Sequence, residues 1–119
     1  MKATLDEGLS SALSDIVFWG ERIGTHLSSI TEERFLADGT LVDAVCFCIS
    51  CIGEAAARVR RNWPDFAALN PDLELAHSSA MRNRIIHGYF DVDHRIVWTA
   101  ATVSIPALVK AAHKCLEAA

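Results

Sequence analysis

The sequence has no excess of positive charge. Its 119 residues carry 11 Lys and Arg against 15 Asp and Glu, a formal net charge of −4 with His neutral. That argues against a general nucleic-acid coat, which would be basic, and leaves only local basic groups, Arg58, Arg60 and Arg61 in one cluster and Arg82 and Arg84 in another. The acidic residues gather in the first third and around 65–74. Strand-like alternation, internal repeats and low-complexity tracts are missing, which argues against a β architecture, a repeat array or disorder. No window is read as reaching the length of a membrane span. The N-terminal MKATLDEGLSSAL has early acids and no long apolar stretch, so no export signal is expected and the chain is expected to be soluble and cytoplasmic. Disulfides are then not expected among Cys46, Cys48, Cys51 and Cys115. The favoured reading makes them small buried hydrophobes. A metal site is the alternative, but C-x-C-x-x-C lacks the second paired half of a structural zinc site.

What is present is helical periodicity. Hydrophobic residues make up 51% of the chain, enough for one core in a single domain over 1–119. Leu5, Leu9, Leu13, Ile16, Gly20, Ile23 and Leu27 mark one face of a long first helix. Thr31 caps a short helix to Ala37, and Asp38-Gly39 breaks it. A third helix runs from about Thr40 to Arg61, where Gly53 and Ala55–Ala57 permit close helix approach. NWPDFAALNPD reads as a loop with one helical turn inside. A fourth helix starts near Asp72 and ends at Gly88. Asp93 caps a last helix from about His94, which Pro106 kinks or splits. The expected architecture is all-α, an up-and-down bundle of about five helices.

The fourth helix ends in MRNRIIHGYF, residues 81–90. On an ideal helix with Arg82 at zero, Tyr89 falls near about −20°, Ile86 near 40°, Asn83 near 100° and His87 near 140°. Met81, Ile85 and Gly88 take the other side. Asn83 and His87 are neighbours at i and i+4, but Arg82 and His87 are poorly aligned within one chain. Serving one reaction therefore requires a bend near Gly88 or a second copy.

The set is sufficient for metal-independent RNA cleavage. Arg offers a planar fork to phosphate oxygens. His takes or gives a proton near neutral pH. It would deprotonate a 2′-OH, which attacks the adjacent phosphorus while Arg stabilises the developing charge. RNA is required because DNA lacks that hydroxyl. Basic residues at a helix C-terminus also simply favour the helix dipole, so the residues by themselves leave a structural role open.

The stretch resembles the R-x4-H-x-Y motif of the HEPN superfamily, with Arg82, His87 and Tyr89 in the three places and the polar Asn83 after the Arg. RNRIIHGYFDVD followed by Val97-Trp98, EERFLAD at 32–38, IGEAA at 52–56 and a late Pro106-Ala107-Leu108 are similar to the HepT-type branch. CFCISC and the interrupted Pro-Leu depart from it. The resemblance implies an α-helical bundle that dimerises, with two motif copies forming one ribonuclease site at the interface. It also implies a toxin of a two-gene toxin–antitoxin system. Its implied antitoxin is an MntA-type nucleotidyltransferase that uses ATP to place AMP on Tyr89. No cofactor is expected for cleavage itself. The implied catalytic residues are Arg82, His87 and Asn83, with Asn83 orienting.

Glu54 is a candidate partner for a motif Arg or for His87, and Arg84 a candidate supporting residue. Arg58, Arg60 and Arg61 would extend an RNA track or stand as a solvated helix end. Trp98 is expected to pack on the motif helix, and Trp19 and Trp63 in the core or an interface. His26, His77, His94 and His113 are expected on the surface. A different class of reading remains, a non-catalytic, nucleotide-binding helical partner of a nucleotidyltransferase.

Overall fold

The computed structural model describes residues 5–118, so residues 1–4 of the N-terminal segment read for an export signal and Ala119 lie outside the described residues. Seven α-helices follow one another: α1 Glu7–His26, α2 Glu32–Leu36, α3 Gly39–Asn62, α4 Pro64–Leu69, α5 Leu75–His87, α6 His94–Thr99 and α7 Ile105–Ala118. No strand occurs among the described residues. Four helix starts are held by side chains that accept from otherwise orphaned backbone N–H groups. Asp6 accepts from Gly8, Thr31 from Arg34, Asp38 from Leu41 and Asp93 from Arg95.

α3 is the central helix. It packs along α1 on one side and α5 on the other, and α7 closes the bundle against α1. Leu13, Ile16 and Ile23 of α1 meet Phe35 of α2 and Val45, Ile49 and Ile52 of α3 in a core that excludes water. Gly20 allows the α1–α7 contact, since a Cβ there would lie 2.2 Å from Val109 Cγ2.

The structure differs from the periodicity reading in four places. The NWPDFAALNPD loop is more ordered than expected, holding α4 and then a 3₁₀ turn over Pro71–Leu73. The fourth long helix consequently starts at Leu75 and not near Asp72, because Glu74 takes a left-handed conformation, φ 45°, that interrupts the helical path. The last helix neither kinks sharply nor splits. Its backbone widens into a π-type turn over Ala100–Ser104, which accommodates the missing N–H and the ring of Pro106. Finally, the reading that no segment has the length of a membrane span is overturned. Gly39–Asn62 and His94–Ala118 are both long and apolar enough to cross a membrane by length and composition. Half of the most apolar window of α3 is buried inside the bundle, so its apolar residues serve the contacts with α1 and α5.

Candidate active site

α5 carries the motif, and its position is set by one glycine. Gly53 of α3 is buried, and a Cβ there would come 2.2 Å from Arg82 Cβ and 2.7 Å from the Ser78 carbonyl oxygen. Only glycine lets the two backbones approach this closely. Arg82 is thereby laid across α3, 30% exposed, with Nη2 3.0 Å from Glu54 Oε2. Nη1 donates to Asn83 Oδ1 at 3.0 Å, and the buried Nε has no hydrogen-bond partner within the chain. Two acceptors hold the fork while one N–H stays unused. A buried donor left so costs about 1–3 kcal/mol, and an incoming phosphate oxygen is one group that would satisfy it. A half-exposed ion pair adds little stability, so the effect of Glu54 on Arg82 is orientation.

The other motif residues are placed by the end of α5. His87 is its last helical residue and is exposed. Gly88 then closes the turn through its N–H to the Arg84 carbonyl at 3.1 Å. The chain reverses into a 3₁₀ turn, Tyr89–Asp91. This reversal overturns the wheel placement of Tyr89 beside Arg82, which assumed an unbroken helix. The Tyr89 phenol instead donates to the Asp43 carboxylate near the start of α3, with Cys46 alongside. Burial, then the hydrogen bond to Asp43, push the phenol well above its ordinary value, so it stays protonated. The anchors of Tyr89 and Arg82 on α3, Asp43 and Glu54, are eleven residues apart, about 16 Å at the helical rise. Asn83 likewise engages Arg82, where the helical spacing had suggested His87.

The remaining candidates sort by neighbourhood. Glu54 pairs with Arg82, one of the two roles considered for it. Arg58 pairs with Asp15 of α1 at 3.0 Å, while Arg60 and Arg61 are exposed at the end of α3. Arg84 points to the opposite flank of α5, toward α6. Trp98 stacks against Phe35 of α2 at 5.3 Å between ring centroids, and not on the motif helix as expected. Trp19 contacts Phe18 and Phe47 edge-on at 5.0 and 5.5 Å and lines a groove with Glu54, Arg82 and Ile86. His113 lies 3.7 Å from Glu21. Cys46 and Cys48 are buried, all four cysteines are free, and no metal-binding cluster occurs among the described residues. Sequence reasoning missed Asp43 as the partner of Tyr89, and no local signal marks it, because the contact exists only after the chain reverses at Gly88.

The arrangement of helix, motif and anchors can be set beside known proteins. The family model described as "Ribonuclease HepT-like" matches residues 20–115. The chain belongs to the HepT-like ribonuclease family. Among its relatives, a "Probable ribonuclease HepT" of Thermococcus cleftensis is 34% identical over 96 residues, covering 81% of this chain and 84% of that one. Two proteins whose names read "Putative RNase" are similar over 109 residues, 92% of this chain and 91% of each of them. One, from Methanocaldococcus jannaschii, is 28% identical, and the other, from Caldanaerobacter subterraneus, is 30% identical. No solved structure matches the chain significantly. The HepT-like match spans α3 and α5 entirely, so the Gly53 contact, the Glu54–Arg82 pair and the Tyr89–Asp43 bond all fall within it.

Proposed function

We propose that this HepT-like protein is a metal-independent endoribonuclease whose site is completed by a second copy of the chain. His87 takes the proton from a 2′-OH, and the resulting oxyanion attacks the adjacent phosphorus. The 5′-oxygen of the next nucleotide leaves with a proton, giving a 2′,3′-cyclic phosphate and a 5′-hydroxyl. Arg82, oriented by Asn83 and Glu54, stabilises the phosphorane oxygens. The observation that carries the two-copy reading is the geometry of α5. Arg82 lies against α3, and His87 projects to solvent about 140° away around the helix. The groove beside Arg82 is flanked by Phe18 and Phe47, 52% and 60% exposed, and lined by Ile86, 51% exposed. Such an apolar surface suits an isologous contact.

In this reading the protein is the toxin of a toxin–antitoxin pair, acting in the cytoplasm. A nucleotidyltransferase antitoxin using ATP neutralises it by AMPylating Tyr89. The phosphodiester would add charge and bulk to the turn next to His87. It would also remove the phenolic proton that Asp43 accepts.

Complementation tests the shared site. Arg82→Ala and His87→Ala chains, each inactive on RNA in the presence of a chelator, are co-refolded in equal amounts. A site built from two chains returns roughly a quarter of the parental activity, because half the dimers are mixed and each keeps one intact Arg–His combination. No recovery, with mixed dimers present, rules out the shared site. Intact RNA with tightly bound nucleotide for the unsubstituted chain would instead favour the non-catalytic binding module.

A further inference from the structure

The flank of α5 that faces away from Arg82 carries a second basic site. α5 packs along α3, whereas α6 leans on α2 and α3. A cleft of about 340 Å³ stays open between α5 and α6. Met81 and Ile96 supply its apolar wall, while His77 and Arg84 from α5 and Arg95 from α6 rim it. No carboxylate lines the cleft, although the chain as a whole is acidic. His77, Arg84 and Arg95 are all exposed, and none joins an ion pair among the described residues. Thr99 and Ser104 add hydroxyls at the α6 end.

The position of the cleft gives it a direction. His77, Ala80, Arg84 and His87 follow at steps of three, four and three along α5, so they form one strip. The cleft therefore ends within one turn of His87, about 5 Å along the axis. A ligand that fits must offer a flat apolar body and an anionic group and must pass the reaction centre. A single-stranded nucleotide has this chemistry. Its base covers the Met81–Ile96 wall, and its phosphate meets two guanidinium forks.

We propose that the α5–α6 cleft seats a nucleotide of single-stranded RNA flanking the scissile bond, its phosphate held between Arg84 and Arg95. This rests on the ribonuclease reading for its substrate, but its test does not depend on cleavage. The full chain carrying His87→Ala, which keeps RNA intact, is titrated with a labelled single-stranded RNA oligomer over a range of salt concentrations. Adding Arg84→Ala and Arg95→Ala together should weaken binding about tenfold or more and lower the slope of log K against log salt by up to about 1.4, at ~0.7 per phosphate contact. Arg84→Lys with Arg95→Lys should keep the slope while losing part of the affinity. An unchanged slope and affinity in the double alanine variant, with an unchanged circular dichroism spectrum, overturns the proposal. So does AMP binding as tightly as the oligomer, which makes the cleft a mononucleotide seat. Polyglutamate binding as tightly as RNA, with the same loss, overturns it in favour of an acidic protein segment. Cleavage by the His87-intact chain is read separately. Absent cleavage with the slope lost removes the ribonuclease reading and keeps the cleft as an RNA seat. Present cleavage with the slope unchanged removes only the cleft.

Discussion

The two flanks of α5 carry the same residue type and do different things with it. Arg82 lies on the α3 flank, pressed over Gly53, with two acceptors on its fork and a buried Nε. Arg84, two positions later, lies on the α6 flank at the edge of an open cleft, exposed and without an ion-pair partner among the described residues. Helical geometry separates them by about 200°, and the neighbouring helix decides the rest. Close packing immobilises one guanidinium in a single orientation, which suits charge stabilisation at a reacting phosphate. The open flank leaves the other solvated and adaptable, which suits holding a flexible strand.

The largest expected effect separates the two arginines directly. Arg82→Ala should lower RNA cleavage by about 10²–10³, in line with losing one preorganised electrostatic contact. Arg84→Ala should raise the RNA concentration needed for half-maximal rate and leave the rate at saturation within a few-fold. Equal losses at saturation from both variants would erase the distinction between the flanks.

Packing gives the next test. Gly53→Ala places a Cβ where Arg82 Cβ now lies, so α5 must shift. Overpacking of this kind costs about 1–3 kcal/mol, read as a lower denaturation midpoint with cleavage reduced alongside. Ala80→Gln on the open flank, where the side chain is exposed at the cleft, should stay within about 0.5 kcal/mol of the parent. A Gly53→Ala protein as stable and active as the parent would show that the tight flank is not set by that glycine.

The tight flank also has a pH signature. Burial pushes the Cys46 thiol, beside Tyr89, from 9.0 up to about 11. A folded-state value raised above the unfolded one favours the folded, protonated form. That stabilisation is complete below pH 9.0 and is lost as pH rises through about 11. Denaturation midpoints should be level near neutral pH and fall across that window, and Cys46→Val should make the fall shallower. An identical profile in the variant would mean that the thiol does not titrate with unfolding. The smallest effect is expected from Glu54→Gln. Stability should change by less than about 1 kcal/mol, because the pair is partly exposed. The dependence of cleavage on salt should change measurably, because Arg82 loses its charged tether.

Much of this was legible in the residues. The apolar repeat of α1, the caps at Thr31 and Asp93, the small residues of α3 and the helix end at Gly88 each follow from a local rule, and each occurs. Arg82, His87 and Tyr89 were marked by a motif, and Glu54 by its place beside small residues. The failures share a cause. The wheel placed Tyr89 beside Arg82 by continuing a helix that stops at His87. Trp98 was assigned to the motif helix but meets Phe35 on α2. The apolar length of α3 passed unremarked because its charged residues were weighed and its longest window was not. Each required knowing how a chain reverses or which helix lies opposite.

The sequence by itself determined that the protein is helical, which residues face inward along each helix, and which short stretch carries the chemistry. These depend on spacing within one element, where the 3.6-residue period and capping chemistry act locally. The tertiary structure alone decided that Tyr89 bonds to Asp43 and that Arg82 is gripped between Gly53 and Glu54. It likewise decided that Arg84 and Arg95 face one cleft. Those pairs join residues from different helices, and only the packing of α5 between its neighbours brings them within reach.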